Sequence, residues 1–132
     1  MATCGLWLSG QRVVAVVVDD YGRASAPLVA DTDDERWELL GRVDAEHGLD
    51  CELVFPESML RVDCICRFAL ERRHISWVAP PVLVEAIRHV AALDRATRTA
   101  AMIARLAVVP VLRQHLRRVE HVCCDWRQLS LL

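Results

Sequence analysis

Two short apolar runs, Cys4 to Leu8 and Arg12 to Val18, the second rich in β-branched valine, open the chain and are separated by Ser9-Gly10-Gln11. Such runs around a short Gly-containing turn predict an antiparallel hairpin. Tyr21-Gly22-Arg23 supplies a second turn, and Ala24 to Ala30 reads as a third strand. Pro27 inside it brings no N–H to a ladder, which suits an edge position. The pattern then changes period. Asp31-Thr32-Asp33-Asp34 offers capping side chains and carboxylates for the positive end of a helix dipole, and Trp37, Leu40 and Val43 recur at helical spacing. A helix to Glu46 follows, with Gly48 as its stop.

Leu49 to Phe55 predicts a buried strand ending at Pro56. Ser58 to Arg73 returns to helical spacing, with Leu60, Ile65, Phe68 and Ala69 facing inward and Arg61, Glu71 and Arg72 facing solvent. Ile75 to Ala79 is the next short strand, closed by Pro80-Pro81. Val82 to Ala92, Arg95 to Ala107 and Pro110 to Arg118 predict three helices, and Val119 to Trp126 a final strand or an ordered arm. The order β-β-β-α-β-α-β-α, with extra C-terminal helices, defines an α/β fold whose sheet joins an antiparallel meander to parallel additions. Residues 1–118 form the expected domain, and 119–132 a C-terminal extension.

Composition narrows the setting. A chain of 132 residues, 54% apolar, is the usual size of one domain and buries enough core to need no staples. No apolar run approaches the ~20 residues of a membrane-spanning helix, so no membrane role is expected. Net charge is −2, so any nucleic-acid binding must come from a local patch. All 16 basic residues are Arg, with no Lys, which suggests the codon usage of a GC-rich bacterial genome. Six cysteines without a secretory leader are expected to be reduced, in a cytoplasmic protein.

Several phrases resemble one family. Gly5-Leu6-Trp7-Leu8-Ser9 stands beside a family pattern of Gly-apolar-Asp-apolar-Ser, and Val16-Val17-Val18-Asp19-Asp20-Tyr21-Gly22 beside an apolar strand ending in a Gly turn. Val54-Phe55-Pro56-Glu57-Ser58 matches a strand ending in Glu, and Ile75 to Pro80 a strand ending in Asn-Pro. Thr99-Ala100-Ala101-Met102-Ile103-Ala104-Arg105-Leu106 matches an Asp-Ala-x-x-Leu-Ala-Arg-Leu helix. Over Gly5 to Leu106 the chain resembles the N-terminal RuvC-like domain of DEDD-type transposases of bacterial insertion sequences, which implies an RNase H-like fold. The resemblance also implies two divalent cations, Mg²⁺ or Mn²⁺, held between carboxylates for an in-line attack on phosphate. Against that pattern, the first-strand acid is replaced by Trp7 and the helix acid by Thr99. Glu57 falls near a motif acid, and Asp94, Asp20 or Asp19 would have to complete the set. Their ordinary roles are a helix N-terminal charge for Glu57, a cap for Asp94, and turn solvation for Asp19 and Asp20.

Other chemistry has less support. Cys64 and Cys66 lie two apart on a helix and point apart, and His121-Val122-Cys123-Cys124 has no Cys-x-x-Cys partner, so no metal site is expected. Ser58 or Cys51 with a distant His forms no recognisable nucleophile pair. Arg95, Arg98 and Arg105 give the C-terminal third a basic bias that makes nucleic acid a candidate partner. Leu83, Ile87, Val90, Ile103, Leu106, Val108, Val109, Val111 and Leu112 exceed what one side of a small sheet covers, which points to a homodimer. The expectation is a catalytically inactive RNase H-like domain without a cofactor, serving as a binding or assembly module linked to a mobile element. The alternative is a divalent-metal-dependent nuclease, resolvase or transposase-type enzyme.

Overall fold

The computed structural model describes residues 2–48, 50–71, 74–90 and 95–122. Strands β1 (Thr3–Ser9) and β2 (Arg12–Val18) pair antiparallel, with Ser9 opposite Arg12 across a turn in which Gly10 has φ +64°. That positive φ favours glycine. All of Val13 to Val18 is buried, because β2 lies inside the sheet with helices on both faces. This is why its sequence is a continuous apolar run and not an alternation.

The third strand is shorter than expected. β3 is Leu28–Ala30, and Ala24 forms only an isolated bridge to Val18. Pro27 breaks the ladder between them. Ser25 bridges the gap with its backbone N–H donated to the Val17 carbonyl at 2.8 Å and its hydroxyl accepting the Val17 N–H at 3.0 Å. Helix α1 (Asp33–His47) starts where the sequence placed it. Thr32 caps it by accepting the Glu35 N–H, and Gly48 closes it with φ +74°. Strand β4 (Glu52–Pro56) follows. The single helix expected over Ser58 to Arg73 is instead a 3-10 turn (Glu57–Arg61) and a helix α2 (Asp63–Glu71), because Val62 takes a non-helical ψ of 90°. Strand β5 (Ser76–Ala79) precedes helices α3 (Pro81–Val90) and α4 (Arg95–Leu106). The helix expected to reach Arg118 ends early: α5 is Pro110–Arg113, and Arg117–Arg118 form a strand β6 antiparallel to β5.

Among the described residues, six strands run in the order β3-β2-β1-β4-β5-β6. β1 and β4 are parallel with Gly5 beside Val54, and β4 and β5 are parallel with Phe55 beside Val78. Alternation along the strands sorts side chains into two layers. Leu6, Leu53, Phe55 and Val78 face α1 and α2, where Leu40, Val43, Ile65 and Phe68 complete the larger core. Val54, Trp77 and Ala79 face the other way, onto Ile87 of α3 and Ile103 and Leu106 of α4. Val119 is buried in the larger core and Val122 packs on it. Cys4, Cys51 and Cys66 are buried, while Cys123, Cys124 and the tail to Trp126 lie outside the described residues. Among the described residues no helix is long and apolar enough to cross a membrane.

Helix α4 crosses β1 at Gly5. A Cβ on that residue would stand 1.9 Å from the Ala100 carbonyl oxygen and 2.6 Å from the Ala104 nitrogen, both backbone atoms with no rotamer to yield. Gly5→Ala must push the helix off the sheet. We expect it to cost at least ~1–3 kcal/mol, read as a lower urea midpoint with an unchanged slope.

Candidate functional site

Position 7 lies two residues along β1 from Gly5, and so on the same α4-facing side of the sheet. Trp7 is half-buried there and packs against both small cores beneath α3 and α4. Thr99 sits on α4 one residue before Ala100 and is buried. The crossing at Gly5 therefore brings Trp7 and Thr99 together. With Leu8, Ser9, Gly10, Ala96 and Arg88 of α3 they line a cavity of about 290 Å³ at the carboxyl end of β1. Two of the positions where the resemblance implies acids meet in one cavity, and none of its lining residues among the described residues is a carboxylate.

The acids suggested by sequence are elsewhere. Glu57, exposed just past the end of β4, borders a shallower depression with Ser58, Leu60, Arg61 and Pro81. Asp19 accepts the backbone N–H groups of Tyr21 and Arg23, each at 2.9 Å, and so shapes the turn after β2. Asp20 is exposed in that turn, and Asp94 lies outside the described residues. Two divalent cations need converging carboxylates. The indole and hydroxyl groups of the cavity do not supply them, and no group of three His, Cys, Asp or Glu able to hold a metal occurs among the described residues. Cys51 and a histidine do approach, but through the wrong atoms: His74 Nδ1 is 3.0 Å from the Cys51 carbonyl oxygen, while the thiol points to the Glu52 carbonyl. Burial pushes the Cys51 pKa up to about 11, so the thiol is not an activated nucleophile.

The basic residues form a second feature. Arg95 begins α4, and Arg98 and Arg105 are exposed along it, bordering a concavity with Val16, Ala24, Thr97, Ala101 and Met102. Arg105 also donates to the Gly22 carbonyl at 3.3 Å, tying α4 to the turn after β2.

Sequence reasoning missed Glu52. It opens β4, at the opposite end of that strand from Glu57, and only 2% of its surface is exposed. Arg113 of α5 grips it through two hydrogen bonds, Nη2 to Oε1 at 2.7 Å and Nη1 to Oε2 at 3.1 Å, and Trp77 Nε1 donates to Oε1 at 2.9 Å. The Arg113 guanidinium lies 4.8 Å over the Trp77 ring and also donates to the Ala107 carbonyl. Burial alone would raise the Glu52 pKa. The bonds from Arg113 and Trp77, with the charges of Arg113 and Arg118, outweigh it and hold the carboxyl below its ordinary value. Its place between Cys51 and Leu53, inside a run read as a buried strand, was the available signal.

The comparisons with known proteins address the fold. No family model matches the chain, and no curated protein matches its sequence. Among solved structures, T. thermophilus RuvC in complex with Holliday junction substrate aligns with a TM-score of 0.59 at 14% identity, covering 89% of this chain and 99% of that one. The chain has the RNase H-like fold.

Two stability predictions follow from the Glu52 brace. Arg113→Ala leaves a buried carboxylate unpaired, and we expect a loss of ~3 kcal/mol, the low end for such a pair because Arg113 is itself 35% exposed. Because folding lowers the Glu52 pKa, its stabilisation is complete above the unfolded glutamate value of about 4.3 and is lost as pH falls through the folded value. Glu52→Gln should therefore be less stable than the wild type at neutral pH, with the gap closing under acid in denaturant titrations.

Proposed function

We propose that this chain is a catalytically silent RNase H-like domain that binds nucleic acid and does not cleave it. The observation that carries the reading is the convergence of Trp7 and Thr99 on one cavity, where the resemblance to insertion-sequence transposases calls for metal-binding acids. The RuvC likeness adds a fold that, in that protein, is found with a Holliday junction. Arg98 and Arg105 supply cationic contacts from α4, on the same side of the sheet as the cavity. With a net charge of −2, affinity has to come from that face.

In this reading the domain is a remnant or accessory of a mobile element, and it works as a homodimer. Val82, Val108, Val109 and Val111 are exposed on and around α3 and α5, which supports self-association through helices. Sedimentation should then report twice the mass of one chain.

Calorimetric titration with Mn²⁺ and Mg²⁺, run beside DNA and RNA binding and cleavage assays, tests the function. We expect binding that survives EDTA and weakens with salt at a log–log slope of about −2 for two phosphate contacts, with no cleavage. Arg98→Glu with Arg105→Glu should weaken binding to all nucleic acids. Metal-dependent cleavage abolished by Glu57→Ala would overturn the reading in favour of a nuclease using Glu57, Asp94 and Asp20 or Asp19.

A further inference from the structure

The cavity at Trp7 differs from the Arg98 and Arg105 face in shape and in chemistry. Arginines on a helix surface meet a phosphate backbone of any form. The cavity is a recess with an aromatic wall, two hydroxyls and one guanidinium at its margin. We propose that it receives a single unstacked nucleobase, with Trp7 as the stacking surface and Arg88 holding the adjoining phosphate. The proposal rests on the nucleic-acid reading and specifies the form of nucleic acid this site takes.

Five observations support it. Trp7 is held from behind by two apolar clusters while remaining partly exposed beside the recess, so its ring is already fixed before a ligand arrives. Arg88 lies 3.6 Å from Glu85, and both side chains are more than half exposed. Such a pair is weak, so a phosphate competes for the guanidinium at little cost. Ser9 and Thr99 bring hydroxyls that donate or accept, which suits base edges without selecting one base. Among the described residues, none that lines the cavity is a carboxylate that would repel a phosphate. The volume, about 290 Å³, is at the bottom of the ~300–1,000 Å³ range of small-molecule sites, enough for one ring system. A base stacked inside a duplex cannot enter, so the ligand is a single strand, a strand end or an extruded nucleotide.

Fluorescence anisotropy with the full chain tests this, using a labelled oligothymidylate, a duplex of equal length and the same oligonucleotide carrying abasic sites. We expect the single strand to bind more tightly than the duplex. Trp7→Leu and Arg88→Gln should each weaken single-strand binding about ten- to a hundredfold while leaving duplex binding within twofold, and abasic substitution should reproduce the Trp7→Leu loss. Arg88 is exposed on α3, so Arg88→Gln carries the test if Trp7→Leu fails to fold. Wild-type single-strand affinity in Arg88→Gln, or indifference to abasic sites, would overturn the proposal while leaving nucleic-acid binding intact. Binding of neither form would overturn both.

Discussion

The contact between Gly5 and the backbone of α4 sets the rest of the molecule. A helix normally rests on a sheet through side chains, at a distance those side chains impose. Here a strand residue without a Cβ lets the Ala100 carbonyl and Ala104 nitrogen come down to the sheet itself. Small residues on the helix side, Ala100, Ala101 and Ala104, make the approach mutual. Everything on that face is then positioned from one point: Trp7 lies two residues further along the strand, and Thr99 one residue back along the helix. The cavity between them is the angle left where helix and strand diverge from their closest approach.

At the other end of the same central strands a different force holds the layers. Glu52 is buried where only a guanidinium could make it tolerable, and Arg113 reaches it from α5. The chain is thus joined by close packing at one end of the α4 face and by a desolvated ion pair at the other. The ion pair also anchors the segment that returns to the sheet as β6, since Arg118 stacks over the same Trp77 ring at 5.4 Å. His74 does related work in the opposite layer, stacked 5.9 Å from Phe68 and bonded to the Cys51 carbonyl, so that a polar ring closes an apolar core.

Local chemistry was legible in the sequence where it decides structure by itself. The Gly10 turn, the Thr32 cap, the Gly48 stop and the two-period change after Asp31 each act over a few residues, and the mixed sheet follows from their order. Boundaries set by tertiary pairing were not. Helical spacing runs through Val62 unbroken in the sequence, yet the chain turns there, and residues 117–118 leave a helix-compatible pattern because the edge of β5 offers them a partner. Of the site, Trp7 and Thr99 were readable as departures from a motif. Their meeting was not, because it depends on the distance of α4 from β1, and neither was the Glu52 brace, whose partners are 25 and 61 residues away.

The lengths of the outermost strands have a consequence for how this protein meets other copies of itself. β3 has three residues and β6 two, and they flank four longer or fully paired neighbours. Ser25 further occupies the ladder groups of Val17 that β3 leaves uncovered. A foreign strand arriving at either margin therefore finds very few free N–H and C=O groups in register, which is how natural sheets resist edge-to-edge polymerisation. A valine-rich chain of this kind is thereby protected from amyloid-type growth from its native state.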